Sequence, residues 1–366
     1  MRAPAATTCR SSCRPPCWSS RPRCSCWHPV SHHRPRPRDR PATLARQGTR
    51  MRPFTLVSYL DANDRSRPGL ALGDTMVAWS DLATAHGLPL AEATMPELIA
   101  AWPMLEPRLA AVEDGSLATP RDLAQVRPAP PVVGGGLFCS GPNYRCHLNE
   151  MTAGQRSDID KKVAAPFFFS KPAVHSIIGP GAPIVLPAGS HKLDWEAELA
   201  VVIGRPARDV PVERAMDHVF GYSILNDLSA RDLFRREEWP GWLDWLSCKG
   251  FEGSAPLGPA IVPAHQVADP YALTVRLWVN DVLQQEASTD QMIFSIAEQI
   301  AYLSRRVTLR PGDLIATGTP AGVGMPRNVF LQPGDVVRVE IEGLGIGPLV
   351  NPVVTHPLHS PRSLQP

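Results

Sequence analysis

The residues of this 366-residue chain whose types and spacing could do chemistry are three carboxylates and one imidazole–carboxylate pair. In "LDWEAELAVVIG" (193–204), Glu196 and Glu198 stand two apart, so a strand would aim both at one face. Neighbouring carboxylates repel one another unless a proton or a cation is shared between them. The plainer reading of such a pair is a solvated strand face. In "GYSILNDLSARD" (221–232) an apolar strand ends abruptly at Asn226 and Asp227, where a scaffold can display a functional side chain or simply cap a following helix. Three carboxylates with no thiolate or imidazole at comparable positions form a hard oxygen site. Such a site suits Mg2+ or Mn2+, with Ca2+ also admitted, better than Zn2+. In "GPNYRCHLNE" (141–150), His147 and Glu150 lie three apart, and one helical turn brings them onto the same face. A carboxylate bonded to one imidazole nitrogen fixes the tautomer and makes the other nitrogen a better base. A surface pair is the alternative.

The elements that must position these residues are mostly strands. From residue 134 onward, short apolar runs alternate with Gly/Pro turns, which predicts strands at 135–139, 167–170, 184–186, 198–203, 221–226, 273–279 and 336–341. Helices are predicted at 212–219, after Pro211, and at 292–306, where Ile293, Ile296, Ala297, Ile300 and Leu303 form one stripe. Upstream, 53–60 and 70–79 read as strands around a turn at 63–69, and 95–113 reads as an amphipathic helix. "VRPAPPVV" (126–133) is a connector that neither continues a helix nor joins a central strand. The expectation is therefore a β-rich α+β protein with a small N-terminal α/β domain at 51–130, a larger domain at 131–355 and a tail at 356–366. Without regular βαβ alternation, a TIM barrel and a Rossmann sheet are excluded. No G-x-G-x-x-G follows a strand and no Walker-type loop occurs.

The first fifty residues stand apart, with eleven Arg, no Lys, one acid, eight Pro and five of the eight Cys. Subtracting their net charge of +10 from the whole-chain +2 leaves −8 for the rest, so the basic balance belongs to this segment and signals no nucleic-acid partner. A transit peptide fits the Arg-rich, acid-poor composition, but the prolines break an amphipathic helix. A metal-binding thiol cluster lacks paired C-x-x-C spacing. The favoured expectation is a start assigned ahead of Met51, with the segment disordered in any case. Beyond it only Cys139, Cys146 and Cys248 remain, which argues for a reducing, cytoplasmic setting. No apolar run is long enough to predict a membrane span.

The motif G-x-N-Y-x-x-H-x-x-E, then "FFFSKP", "LDWEAELAVVIG", "GYSILNDLSARD", "KGFEGSAPLGP" and "DLIATGTPAGVG", occur in the order found in the fumarylacetoacetate hydrolase family, which residues 134–354 resemble. The resemblance implies a mixed β-roll catalytic domain, usually homodimeric, holding Mg2+ or Mn2+ through Glu196, Glu198 and Asp227. It maps the catalytic pair onto His147 and Glu150, on a segment that commonly closes as a lid, and a catalytic lysine onto Lys249. Substrate contacts fall on Tyr144, Lys171, Arg231 and Thr319. One departure stands out: many relatives carry Gln where this chain has Phe234, ahead of a stretch holding Trp239, Trp242 and Trp245. That stretch reads as core packing slightly more than as a pocket wall. The activity implied is metal-dependent C–C hydrolysis of a small oxo-acid, of the acylpyruvate or fumarylpyruvate type. Isomerisation or decarboxylation of unsaturated hydroxy- or oxo-diacids in aromatic catabolism is the alternative. A metal-binding but inert domain is the third reading, and it would need a missing ligand or base.

Overall fold

Ala197–Ile203 is buried along its whole length, as a strand covered on both faces must be. Its side chains alternate between two cores. Ala197, Leu199, Val201 and Ile203 join one, and Ala200 and Val202 the other. Glu198 continues the second register. The strand pairs antiparallel with Val219–Asn226 on one side and with Leu314–Ala316 on the other. These three form the middle of a twelve-stranded sheet.

The computed structural model describes residues 53–110, 119–156 and 158–356. The expectations for residues 1–50, and for the tail beyond 356, lie outside them. A five-stranded sheet packs on the first through Val275, Leu277, Val337, Val339 and Ile341, which share a core with Leu199 and Val201. The opposite face of the large sheet is covered by two helices, Trp79–His86 and Met95–Leu109, through Leu82, Leu98, Ile99, Trp102 and Leu105. The second helix starts where the Glu97 carboxylate accepts the Thr94 backbone N–H at 2.7 Å. The result is the expected β-rich α+β architecture of stacked layers. No helix among the described residues is long and apolar enough to cross a membrane.

Ser66–Leu72 takes up most of the turn expected at 63–69, and the turn before Thr75–Ala78 falls at 73–74. Several strands escaped the sequence pattern, among them Leu314–Ala316, Leu349–Val354 and two whose composition hid them. Ala255–Pro263 carries three prolines yet lies inside the sheet, between Thr55–Leu60 and Val219–Asn226. Its ladders are broken: the register shifts between Tyr222 and Ile224, and Leu56 to Ile261 is its sole pairing with the first strand. Interrupted ladders tolerate residues that lack an N–H. Val282–Ser288 inverts the usual pattern, with Val282 and Leu283 exposed and Gln285 buried. The helices are shorter than the stripes suggested. The 212–219 segment is Val212–Ala215 followed by a 3-10 turn, and the 292–306 helix is Ile296–Ser304, begun by a Ser295–Glu298 capping box. Strand pairing through Leu56 carries the large sheet across the division drawn near residue 130.

Leu199 is fully buried at the centre of the layers. Leu199→Ala is therefore expected to lower unfolding free energy by about 3 kcal/mol, read by urea denaturation.

Candidate metal centre and substrate cavity

The antiparallel register of two strands brings the three carboxylates together. Glu196 immediately precedes Ala197–Ile203, Asp227 immediately follows Val219–Asn226, and Ala197 pairs with Asn226. Asn226 Oδ1 accepts the Glu196 N–H at 2.9 Å, and the Asp227 N–H donates to the Glu196 carbonyl at 2.8 Å. Glu196, Glu198 and Asp227 thus offer oxygens that all lie within 4.8 Å of one another, and all three residues are buried.

Buried like charges require compensation. Lys249 Nζ sits 2.8 Å from both Glu196 Oε2 and Asp227 Oδ2. Arg231 Nη2 donates to Glu196 Oε1 at 2.6 Å, and its Nε to Asp194 Oδ2 at 2.9 Å. The wholly buried Lys171 Nζ lies 2.5 Å from Asp227 Oδ1. It donates to the carbonyls of Leu228 and Ser254 at 3.0 and 2.6 Å, so its contact with Asp227 is an ion pair without hydrogen-bond alignment. Burial alone would raise Glu196, but the charges of Lys249 and Arg231 outweigh it and hold this carboxyl well below the usual range. Glu198 goes the other way. Burial, then the charges of Asp227 and Glu196, push it well above the usual range, and the Gly318 N–H at 2.7 Å offsets this only in part.

Glu198 Oε1 is buried without a hydrogen-bond partner, and Asp227 Oδ1 is met by the Lys171 ion pair alone. Orphaned buried acceptors are costly. A hard divalent cation fits this donor set, because it would satisfy Glu198 Oε1 and relieve the repulsion that raises Glu198. Glu196, Glu198 and Asp227 would hold it.

The 317–324 loop organises the surroundings through backbone N–H groups. Gly318 serves Glu198, Gly322 serves Glu150 at 3.0 Å, and Gly324 serves Asp194 at 2.6 Å. Gly318 has φ +102°, and a Cβ there would come within 2.7 Å of Asn143 Cβ, so the close approach needs glycine. From the five-stranded sheet, Gln285 accepts the Ala197 N–H at 3.0 Å and donates to Thr319 Oγ1 at 2.9 Å. Sequence reasoning missed Gln285, Asp194 and Gly318. The last two lie within quoted motifs, whereas Gln285 left no signal.

A cavity of about 360 Å³ opens beside the trio, with His147, Glu196, Arg231, Lys249 and Thr319 on its wall. His147 lies on the helix Arg145–Met151, and its Nδ1 is 3.4 Å from Glu150 Oε2. Burial would raise Glu150, but the His147 hydrogen bond and the Gly322 N–H outweigh it and keep it below the usual range. Thr319 spends its hydroxyl on the Ala197 carbonyl at 2.9 Å. Lys171 lies behind Asp227 and Tyr144 within the main core, and neither is on the cavity wall. The Tyr144 hydroxyl is buried without a partner. Burial pushes the Cys248 thiol on the wall up to about 11, so it is no ready nucleophile. The wall also holds Phe234 and Trp245, while Trp239 and Trp242 are exposed. Core packing, the favoured reading of this stretch, is thus corrected: Trp245 turns inward onto three phenylalanines, and the other two indoles pack into no core. A larger groove of about 880 Å³ lies elsewhere, but its lining carries a lone carboxylate, Asp74, and no cation.

Residues 136–354 match the fumarylacetoacetate (FAA) hydrolase C-terminal family, and the chain belongs to it. Over 220 residues, 60% of this chain, it is 44% identical to the mitochondrial oxaloacetate tautomerase of Xenopus laevis, of which the match spans 65%. Among solved structures, maleylpyruvate hydrolase from Sphingobium sp. SYK-6, in complex with manganese(II) and pyruvate, is 32% identical with a TM-score of 0.64, covering 82% of this chain and 99% of that one. The 2-hydroxyhepta-2,4-diene-1,7-dioate isomerase of Mycobacterium marinum is 30% identical with a TM-score of 0.59, covering 83% and 99%. Hydrolase, isomerase and tautomerase names therefore all occur among these relatives.

A cation binds the ionised form of Glu198, whose carboxyl is held protonated up to an elevated pH in the metal-free protein. Mn2+ affinity is accordingly expected to rise with pH through that raised range, with protons released on binding. Calorimetry in two buffers of different ionisation enthalpy reads the release. Glu198→Gln should remove it and weaken Mn2+ binding by about tenfold or more.

Proposed function

We propose that this protein hydrolyses a carbon–carbon bond in a small 2,4-dioxo acid of the acylpyruvate or fumarylpyruvate type. The observation that carries this reading is that one cavity wall carries His147, Arg231 and Glu196, with Glu150 bonded to His147 and with Glu198 and Asp227 completing the carboxylate trio. Glu196, Glu198 and Asp227 would hold a divalent cation, whose Lewis acidity would stabilise negative charge on a 2-oxo oxygen.

The chain's own residues do the rest. Arg231 uses Nε and Nη2 internally, and its remaining Nη1 offers a donor to the substrate carboxylate. Lys249 helps hold the Glu196 carboxyl low, pairs with Asp227 and adds positive charge at the same end. With Glu150 accepting from Nδ1–H, His147 presents Nε2 as the basic nitrogen. It takes a proton from water, and the hydroxide adds to the C4 carbonyl. The C3–C4 bond breaks, a carboxylic acid departs, and the bonding electrons pass to C3 as pyruvate enolate. The proton on His147 then returns to C3. A dioxo acid and water thus give pyruvate and one acid.

The 44% identity to an oxaloacetate tautomerase supports a second reading. There the same base would move a proton between C3 and the enol oxygen with no attack by water. Product analysis on a panel of 2,4-dioxo acids and oxaloacetate, with Mg2+ or Mn2+, separates the two. Two fragments are expected from the dioxo acids. Keto–enol exchange of oxaloacetate with no cleavage of any dioxo acid would replace hydrolysis by tautomerisation, and release of CO2 would indicate a decarboxylase. His147→Ala is expected to lower kcat by about 100-fold or more while leaving Mn2+ affinity little changed. Unaltered turnover would remove the base assignment.

A further inference from the structure

We propose that the outer half of the cavity is a subsite for an aromatic group, so that the preferred substrate is a 2-oxo acid with an aryl tail rather than a second carboxylate. The proposal rests on the oxo-acid reading above and specifies the tail.

Polar and apolar groups divide the cavity into two ends. Arg231, Lys249, His147 and Glu196 gather at one. Leading away from them is a continuous aromatic wall. Lys249 Nζ lies 5.2 Å from the centroid of the Phe169 ring, which fixes the wall's inner edge against the charged end. Phe169 stacks on Trp245 at 5.1 Å and 24°. Trp245 meets Phe234 edge-on at 4.7 Å and 78°, and Phe167 at 5.6 Å. All four rings line the cavity.

The packing leaves this wall incomplete. Phe167 is 53% exposed, and Phe169, Phe234 and Trp245 are only partly buried. Rings held in stacked and edge-on contact with one open face gain from being covered by a further ring. Besides Arg231 and Lys249, Arg235 is the cation lining the cavity among the described residues, and it is exposed, where screening leaves an ion pair with a distal carboxylate weak. The volume of about 360 Å³ falls in the range of pockets for drug-sized ligands and leaves room beyond a pyruvate head.

The test compares 2,4-dioxopentanoate, 2,4-dioxo-4-phenylbutanoate and fumarylpyruvate on the Mn2+-loaded full chain. The phenyl compound is expected to exceed the methyl one in kcat/KM by about tenfold or more. Phe234→Gln should reduce that ratio by about tenfold, and Trp245→Phe provides a second, more conservative alteration of the wall. Binding is read separately with phenylpyruvate and pyruvate, which offer no C4 carbonyl to attack. Phenylpyruvate should bind more tightly and quench tryptophan fluorescence, and Trp245→Phe should remove most of that quench. Tighter phenylpyruvate binding with no cleavage of any dioxo acid would retain the subsite and remove the hydrolase reading. Equal binding of the two acids, or a clear preference for fumarylpyruvate that Phe234→Gln leaves unaltered, would overturn the subsite.

Discussion

Three buried carboxylates within 4.8 Å of one another are the constraint that the surrounding structure answers. At an effective dielectric of about 20, two unit charges at that spacing repel by about 3 kcal/mol, before the loss of hydration is counted. No single segment can supply the opposing charge. Lys171, Arg231 and Lys249 arrive from separate stretches of the chain, and the Gly318 N–H comes from a fourth. The distribution is uneven in a useful way. Glu196 and Asp227 take the cations, and Glu198 is left with one backbone donor and one orphaned oxygen. The frame holds the trio together and leaves Glu198 without a cation of its own.

That frame also sets the chemistry beside it. The 317–324 loop donates to Glu198, Glu150 and Asp194, so the candidate metal ligand, the carboxylate that orients His147 and the one that orients Arg231 share a backbone segment. Amide donors on a glycine-rich loop are fixed in direction and need no side-chain ordering. A shift of the loop would therefore disturb charge stabilisation, base orientation and carboxylate binding together. Gln285 ties the same region to the second sheet. The two-sheet architecture thus bears directly on the position of Thr319 and of the strand that carries Glu198.

Much of this was legible in the chain. The strand Ala197–Ile203, expected at 198–203, showed itself through the apolar run 199–203, and the His147–Glu150 spacing translated into one helical turn, found as Arg145–Met151. Ordered motifs indicated the family, and the family match agrees. What was not legible depended on partners distant in sequence. Three prolines hid the strand Ala255–Pro263, because tolerance of a missing N–H depends on where the neighbouring ladder is interrupted. A pattern that exposes Val282 and Leu283 and buries Gln285 hid Val282–Ser288. Tyr144 and Lys171 shared motifs with cavity residues but sit behind the wall, since a motif records proximity along the chain and not which side of a sheet a group occupies.

The sequence by itself determined the kinds of groups available: oxygen ligands without thiolates, an imidazole with a carboxylate one turn away, and apolar periodicities that specify strands. These are local properties, set by residue type and by the two- and 3.6-residue periods of the backbone. Only the tertiary structure decided that Asp227 joins Glu196 and Glu198, because the closure depends on the antiparallel register of Ala197 with Asn226. It also decided that Trp245 and Phe234 face the cavity while Trp239 and Trp242 do not. Register and facing are set by which surfaces bury one another, and no spacing along a single chain segment encodes that choice.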